Sequence, residues 1–197
     1  MKKIGIYSLL IIFLAGIISS CIKNEDVVYT VRLAEIDAAS WNANAASVTY
    51  PILTRAVPEN RAIVTSVDST LRRVSGLTKV RINLVGQQSG KDEIVGYKIF
   101  STPITTIAFP ATITGQTPSA AAATLAVSDV VAGTHYTALS GKVTIPANKS
   151  FGYIEIPILN PGPTAGQARF IGIQLDSTGT LLPSPNYNKL GLVIDQR

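Results

Sequence analysis

The sequence is poor in the residues that build disulfides, metal centres and most catalytic sites. It has one cysteine, Cys21, and one histidine, His135. A zinc site built around His135 would need further histidine or cysteine ligands, and no Gly-x-Ser-x-Gly turn surrounds Ser140, the nearest nucleophile. We therefore expect no enzyme, no metal and no cofactor, and a turn or strand-end position for His135 beside Tyr136.

Charged residues are also scarce, at 15% of the chain, and they are scattered. Once Lys2 and Lys3 are set aside with the apolar segment behind them, 15 of the 17 basic residues remain against 12 acidic ones. Only Arg72 and Arg73 are then adjacent, and no aromatic ladder accompanies them. Nucleic-acid binding requires a clustered basic patch or a known module, so we expect no nucleic-acid partner.

An apolar run follows the basic start. Lys2 and Lys3 precede Ile4 to Ile18, which contains almost no polar residue, and two serines follow. This order is typical of a secretory signal peptide. The run of about 15 residues is shorter than the roughly 20 that a membrane-spanning helix needs, so residues 1–20 are predicted to be a signal peptide rather than a transmembrane anchor.

The lone cysteine stands directly behind this segment, in the order Ile18, Ser19, Ser20, Cys21. An aliphatic residue and two small ones before cysteine resemble the lipobox of bacterial lipoproteins. The resemblance implies a diacylglyceryl group on Cys21, usually with an N-acyl chain, and hence a membrane partner. Two or more chains anchor a protein stably, whereas one chain binds marginally.

The anchor is followed by a short charged tether. Residues 21–26 contain Lys23, Glu25 and Asp26 and no apolar period. The tract resembles the acidic signal that, in Bacteroidota, sends lipoproteins to the outer face of the outer membrane. A solvated linker explains the same residues. We expect a lipid-anchored outer-membrane protein, and the surface-exposed and periplasmic faces both remain open.

The rest of the chain, residues 27–197, reads as one β domain. Short β-branched segments with alternating polarity are separated by turns rich in glycine, proline and asparagine, which favours an antiparallel sandwich. The clearest is 79–86, where Val80, Ile82 and Leu84 share one face. Residues 118–127 are alanine-rich and are compatible with one helical turn or a strand; of these we expect a loop with a short helix. The segments 141–147 and 152–159 are expected to form a hairpin at the centre of the core.

Two stretches resemble the Calx-β family. Residues 132–158 contain the family's order of a glycine, a polar residue and a tyrosine, then a strand that ends in "IPA", then a strand of alternating aliphatic residues. Residues 170–196 resemble the family's closing strands, which end in an aliphatic residue followed by Asp. The resemblance covers about 75–197 and implies an immunoglobulin-like β-sandwich. Domains of this kind occur in Bacteroidota lipoproteins, often encoded near glycan-uptake systems.

The sequence departs from that family at its calcium ligands. His135 stands where an acidic residue usually precedes the tyrosine, and Asp129, Asp176 and Asp195 are far apart in sequence. Calcium needs about six to eight oxygen ligands, so no calcium site is carried over.

Two aromatic residues are the candidate ligand-binding positions. Trp41, the lone tryptophan, lies in a small-residue segment and could stack on a sugar ring or tuck against the sandwich flank; Tyr187 lies in the "LPSPNYN" turn. Asp92 and Glu93 are adjacent carboxylates, but neighbours on a strand face opposite sides and cannot flank one glycosidic bond. We expect both to lie in a solvated turn.

Three functions remain open at this point. The first is a non-catalytic accessory module at the cell surface, capturing a glycan or working with a neighbouring outer-membrane protein. The second is a structural or adhesion-type module that contacts proteins through a sheet edge or loops. The third, a hydrolase, has no residue constellation in its favour. The first depends on family analogy, since a fold does not determine a function.

Overall fold

The computed structural model describes residues 31–37, 48–58 and 64–197, and the regular secondary structure in these ranges is β without helix. The strands are β1 (Leu33–Ile36), β2 (Ile52–Leu53), β3 (Leu77–Val85), β4 (Glu93–Phe100), β5 (Thr106–Phe109), β6 (Ala123–Asp129), β7 (Lys142–Ile145), β8 (Phe151–Pro157), β9 (Gln167–Asp176), β10 (Leu182–Pro183) and β11 (Lys189–Asp195).

The strands form two sheets that pack face to face. The four-stranded sheet has the order β10-β1-β3-β8, and the larger sheet has the order β2-β11-β9-β4-β7, with β6 beside β9 and β5 beside β6. Aliphatic side chains from both sheets form one buried cluster between them. The predicted all-β sandwich is therefore confirmed.

Alternation along the strands explains which face is buried. On β3 the aliphatic residues Val80, Ile82 and Leu84 are buried, while the residues between them are partly exposed. On β9, Ile171, Ile173 and Leu175 face the same core from the opposite sheet. The aliphatic side chains of the two strands thus share one core between the sheets, which is the usual packing for sheets that bury one face.

The hairpin expected over 141–159 is wrong. Strand β7 pairs with β4 in the larger sheet, whereas β8 pairs with β3 in the smaller one. The turn 146–150, with Asn148 at a φ of 59°, therefore carries the chain from one sheet to the other. The assigned faces are correct, because Val143, Ile145 and Ile156 are buried in the shared core.

The sheets are mixed rather than purely antiparallel. Three pairs are parallel: β1 with β10, β2 with β11, and β6 with β9. The strands β10 and β2 each form the edge of a sheet, and β6 runs beside only the first part of β9. Alternating polarity is the same for a strand in either direction, so it does not reveal such pairings.

The segment 101–130 extends the larger sheet beside β9 and packs against its outer face. Its strands β5 and β6 pair, and Ile107, Phe109 and Leu125 pack with Phe170 and Val193 in a second buried cluster. The expected short helix over 118–127 is wrong, because β6 begins at Ala123. The parallel ladder with β9 outweighs the helix propensity of alanine.

The two ends of the sandwich have different neighbours. The end that receives the chain at Val31, called the tether end, also carries the loops 86–92, 146–150 and 177–181. The opposite end, called the far end, carries the loops 130–141 and 158–166. At the tether end Arg32 pairs with Glu93 at 2.8 Å, so the first described residues are fixed to β4.

Several predicted features lie outside the described ranges. They are the signal peptide 1–20, the tether 21–26 with Cys21, and Trp41. The predicted β domain, 27–197, is described only from Val31, and its first strand, β1, begins at Leu33. Within the described ranges, no helix has the length and apolar character needed to cross a membrane.

A lateral groove as the candidate functional site

Strand β8 carries two aromatic rings on the outer face of the small sheet. Its even-numbered residues point into the core, so Phe151, Tyr153 and Glu155 point outward. The rings of Phe151 and Tyr153 meet edge to face with 5.6 Å between centroids. Arg81, the register partner of Tyr153 on β3, lies 4.0 Å above the ring of Phe151, a distance suited to a cation–π contact.

Charged pairs hold the residues of this outer face in place. Lys79 lies 3.4 Å from Glu155, its register partner, and Arg81 lies 3.4 Å from Asp37. The ammonium of Lys79 is also 5.6 Å from the ring centroid of Tyr153. Exposed pairs contribute little to stability, but together they limit the rotamers of Tyr153 and Glu155.

A groove of about 420 Å³ lies beside this face, between the edge strands β7 and β8. The volume is within the range of roughly 300–1,000 Å³ that is typical of ligand sites. Its lining residues include several with hydroxyl groups, one lysine, one glutamate, and aromatic and aliphatic residues. The lining residues are Tyr97, Thr137, Ala138, Leu139, Ser140, Lys142, Val143, Thr144, Tyr153, Ile154, Glu155 and Pro157.

Two local contacts shape the β7 side of the groove. Ser140 caps the strand edge, because its hydroxyl donates to the carbonyl of Lys142 at 2.9 Å and accepts from the amide of the same residue at 3.3 Å. Farther along, the carbonyl of Thr144 lies against Gly152 so closely that no side chain would fit there. The free edge of β7 is therefore blocked against further strand pairing.

The edge of β8 is open over a short stretch. Hydrogen-bonded pairs alternate along an antiparallel ladder, and Leu84 donates to Ser150 while Ile158 donates to Gly76. By this alternation the amide and carbonyl groups of Tyr153 and Glu155 point away from β3, toward the groove. The stretch ends where Thr137 donates to the carbonyl of Pro157 at 3.0 Å.

The charged and polar residues of the groove differ in whether a neighbouring side chain pairs with them. Glu155 has Lys79 as its partner, whereas Lys142 is exposed and has no carboxylate within salt-bridge distance among the described residues. Burial raises the pKa of the Tyr97 hydroxyl, and hydrogen bonding to Ser140 opposes that shift. Tyr97 therefore remains a neutral phenol at physiological pH.

The residues predicted from the sequence lie elsewhere. Tyr187 is 36% exposed at the opposite edge of the small sheet, where its carbonyl accepts from the amide of Ile36 at 2.7 Å. The groove residues on β8 are three strands away from that edge, and the others lie on β4, on β7 and in the loop before β7. The structure therefore does not bring Tyr187 to the groove, and Trp41 lies outside the described ranges.

His135 occupies the turn position that was predicted for it. Its amide donates to the carbonyl of Val131 at 2.9 Å, and its Nδ1 accepts from the amide of Val131 at 3.0 Å. Burial lowers the pKa of His135, and the charge of Arg169 lowers it further. The imidazole is a buried, neutral part of the turn.

The solvated turn expected for both neighbouring acids is wrong for Glu93. Asp92 is exposed and accepts from the amide of Ala147 at 2.9 Å. Glu93 is only 2% exposed and is held by Arg32 at 2.8 Å and by the hydroxyl of Thr180 at 2.6 Å. Its position in the ladder with Ile145 places it at a buried strand end.

Sequence reasoning missed the groove although one signal was present. Alternation in "FGYIEIP" places two aromatic residues and an acid on the outward face of β8, where a solvated face normally carries small polar residues. The β7 contribution had no such signal, because the assembly of the groove depends on the change of sheet between β7 and β8.

The arrangement is suited to holding a polar ligand beside an aromatic ring. Hydroxyl, ammonium, carboxylate and main-chain groups line one cleft, which can exchange hydrogen bonds with a ligand rich in hydroxyls. Within the described ranges, no three His, Cys, Asp or Glu residues are grouped so as to hold a metal ion.

Comparisons with known proteins find matches among solved structures alone. No protein-family model matches the chain, and no curated protein sequence matches it. Among solved structures, the chain is similar to the apo form of the Calx CBD1 domain, at 16% identity and a TM-score of 0.40, over 64% of this chain and 88% of that one.

Proposed function

We propose that the chain is a lipid-anchored, non-catalytic binding module of a Bacteroidota outer membrane that captures glycans at the cell surface. Its anchor is the lipidated Cys21, as the lipobox implies. The groove between β7 and β8 is its binding site. The observation that carries this proposal is the cleft of about 420 Å³ at the adjoining edges of the two sheets, with Tyr153, Glu155 and Lys142 among its lining residues.

A saccharide fits the chemistry of this cleft. A pyranose ring has an apolar face that can lie against an aromatic ring, and its hydroxyls both donate and accept hydrogen bonds. Tyr153 supplies the ring; Glu155 and the main-chain carbonyls accept, while Lys142 and the main-chain amides donate. The pairs on the outer face fix Tyr153 before the ligand arrives, which reduces the entropy lost on binding.

The position of the groove agrees with capture from outside the cell. Lys142 begins β7 and Glu155 lies near the end of β8, both toward the far end of the sandwich. The chain reaches the domain at the opposite, tether end. A ligand in the groove would therefore approach from the side that is remote from the membrane.

Native affinity electrophoresis tests the proposal. Gels are cast with a soluble polysaccharide, either neutral (galactomannan, xylan) or acidic (pectin, alginate), and the migration of the protein is compared with that in an empty gel. One polysaccharide should retard the wild type, and Tyr153→Ala should abolish the retardation. The control is Tyr187→Ala, which changes an exposed tyrosine at the opposite edge of the same sheet and should remain retarded. The proposal would be overturned if Tyr187→Ala were the variant that lost the retardation while Tyr153→Ala kept it. It would also be overturned if no gel retarded the wild type.

A second candidate function is protein binding by strand addition. The outward amide and carbonyl groups of Tyr153 and Glu155 could pair with an extended segment of another protein. Glu155→Pro removes one of these amides, whereas Glu155→Ala keeps it, and proline is tolerated on a free strand edge. A partner lost with Glu155→Pro but kept with Glu155→Ala would favour strand addition over glycan binding.

A further inference from the structure

A row of apolar side chains crosses the outer face of the small sheet at the tether end. Leu182 on β10 pairs in register with Leu33 on β1, and Leu33 pairs with Val85 on β3. The neighbours of Leu33 and Val85 in sequence, Ala34 and Leu84, point into the core, so the row faces outward. Leu182 is 59% exposed, the largest exposure of any leucine among the described residues.

Further groups extend this row toward the tether. Val31, which is 52% exposed, lies two residues before Leu33, and its carbonyl lies beside Gly86. Exposed lysines lie in loops at the same end, Lys149 in the turn after β7 and Lys91 in the loop before β4, where it precedes the exposed Asp92. The end of the domain therefore combines exposed aliphatic side chains with ammonium groups.

We propose that this end of the domain rests on the lipid surface, with Leu182, Leu33 and Val31 at the level of the headgroups. The proposal depends on the lipid anchor at Cys21. About ten residues join Cys21 to Val31, and a fully extended chain of that length spans at most about 35 Å. The anchor would therefore hold the apolar row permanently near the bilayer, and at such an effective concentration even a weak contact is populated.

The chemistry of the end favours a lipid surface over other occupants. Aliphatic side chains enter the boundary between headgroups and acyl chains, and nearby lysines are attracted to anionic lipids. Contact at this end would orient the strands at a steep angle to the membrane plane. The groove residues Lys142 and Glu155 would then lie in the half of the domain that is farther from the membrane.

Fluorescence quenching in vesicles tests the contact. The full chain with its acyl anchor is reconstituted in vesicles of phosphatidylethanolamine and phosphatidylglycerol, with or without brominated acyl chains. The probe is Leu182→Trp, and the matched control is Leu77→Trp, because Leu77 is 49% exposed on the same outer face but at the far end. The emission of the parent chain, which contains only Trp41, is subtracted from both.

We expect brominated lipid to reduce the emission of Leu182→Trp and to leave that of Leu77→Trp unchanged. Equal emission of Leu182→Trp in both vesicles, with the protein floating with the lipid, would overturn the contact and leave the anchor intact. A protein that does not float with the vesicles would overturn the anchor, and the contact with it. The emission of Leu182→Trp could instead shift to the blue as the protein concentration rises in the absence of lipid, and show no quenching by brominated lipid. That result would overturn the membrane contact and assign the row to a contact with a second copy of the chain.

Discussion

Gly152 on β8 and Thr144 on β7 belong to different sheets, yet their main chains are in contact. A Cβ atom at Gly152 would overlap the carbonyl oxygen of Thr144. The contact brings the two sheet edges together and so sets the width of the groove beside them. A residue without a side chain is required there for reasons of space, since its φ is not in the left-handed region.

Gly152→Ala should therefore destabilise the domain. The added methyl group forces β7 and β8 apart, and overpacking of this kind costs about 1–3 kcal/mol. Urea unfolding measures the effect. The control is Gly90→Ala, because a Cβ atom at Gly90 would meet no atom within 4 Å. Equal midpoints for Gly152→Ala and the wild type would contradict the close approach of the two strands.

The faces of the two edge strands predict a second difference in stability. Ile156 is fully buried between the sheets, so Ile156→Ala should cost about 2–5 kcal/mol. Thr144 is exposed on β7, and Thr144→Ala should cost well below that. Chemical denaturation of both variants provides the test. Similar shifts in midpoint would mean that the inward and outward faces have been exchanged.

Glu93 predicts a pH dependence of stability. The hydrogen bond from the Thr180 hydroxyl lowers the pKa of Glu93, burial opposes this, and bonds to Ser89 and Arg32 lower it further. A carboxyl group with a depressed pKa stabilises the fold above its unfolded pKa, near 4.5, and the contribution is lost as the pH falls through the folded pKa.

The wild type should consequently be more stable than Glu93→Gln at neutral pH, and the difference should shrink once the pH falls below about 4.5. Urea midpoints measured from pH 7 to pH 3 give the profile. Glu155→Gln is the control, since Glu155 forms an exposed pair with Lys79 that contributes little. A difference between wild type and Glu93→Gln that stays constant over this range would contradict the assignment.

The anchor predicts a change in cellular location. Cys21→Ala removes the thiol that takes the lipid. The signal peptide of the variant should therefore stay uncleaved, and the variant should no longer be recovered with the acylated proteins of the membrane fraction. Ser20→Ala keeps a small residue before Cys21 and should be processed as the wild type. Metabolic labelling with a fatty acid and fractionation report both properties. A Cys21→Ala chain that is still processed, labelled and membrane-bound would refute lipidation.

The sequence was sufficient for the elements whose burial follows a period of two. Strands β3 and β8 were predicted from alternating aliphatic residues, and the structure places those residues in the core. It was insufficient where the same local pattern suits two arrangements. The turn after Ile145 could close a hairpin or cross to the other sheet, and only the pairing of β7 with β4 decides between them.

The candidate site depends on that same choice. Tyr153 and Lys142 are 11 positions apart in the sequence, and they line one groove because β7 and β8 lie at neighbouring edges of opposed sheets. An exposed aromatic residue in a turn, such as Tyr187, is easier to select from sequence. The residues that share a cleft are set by long-range pairing, which local patterns do not contain.

The central claim is that the groove between β7 and β8 is the binding site. It is tested most directly by an NMR titration of the isotope-labelled protein with an oligosaccharide cut from the polysaccharide that retards it in the gel. The amide resonances of Lys142, Thr144, Tyr153 and Glu155 should shift together and saturate with one affinity. Shifts confined to the edge around Tyr187, or to the loops at either end of the sandwich, would contradict the claim.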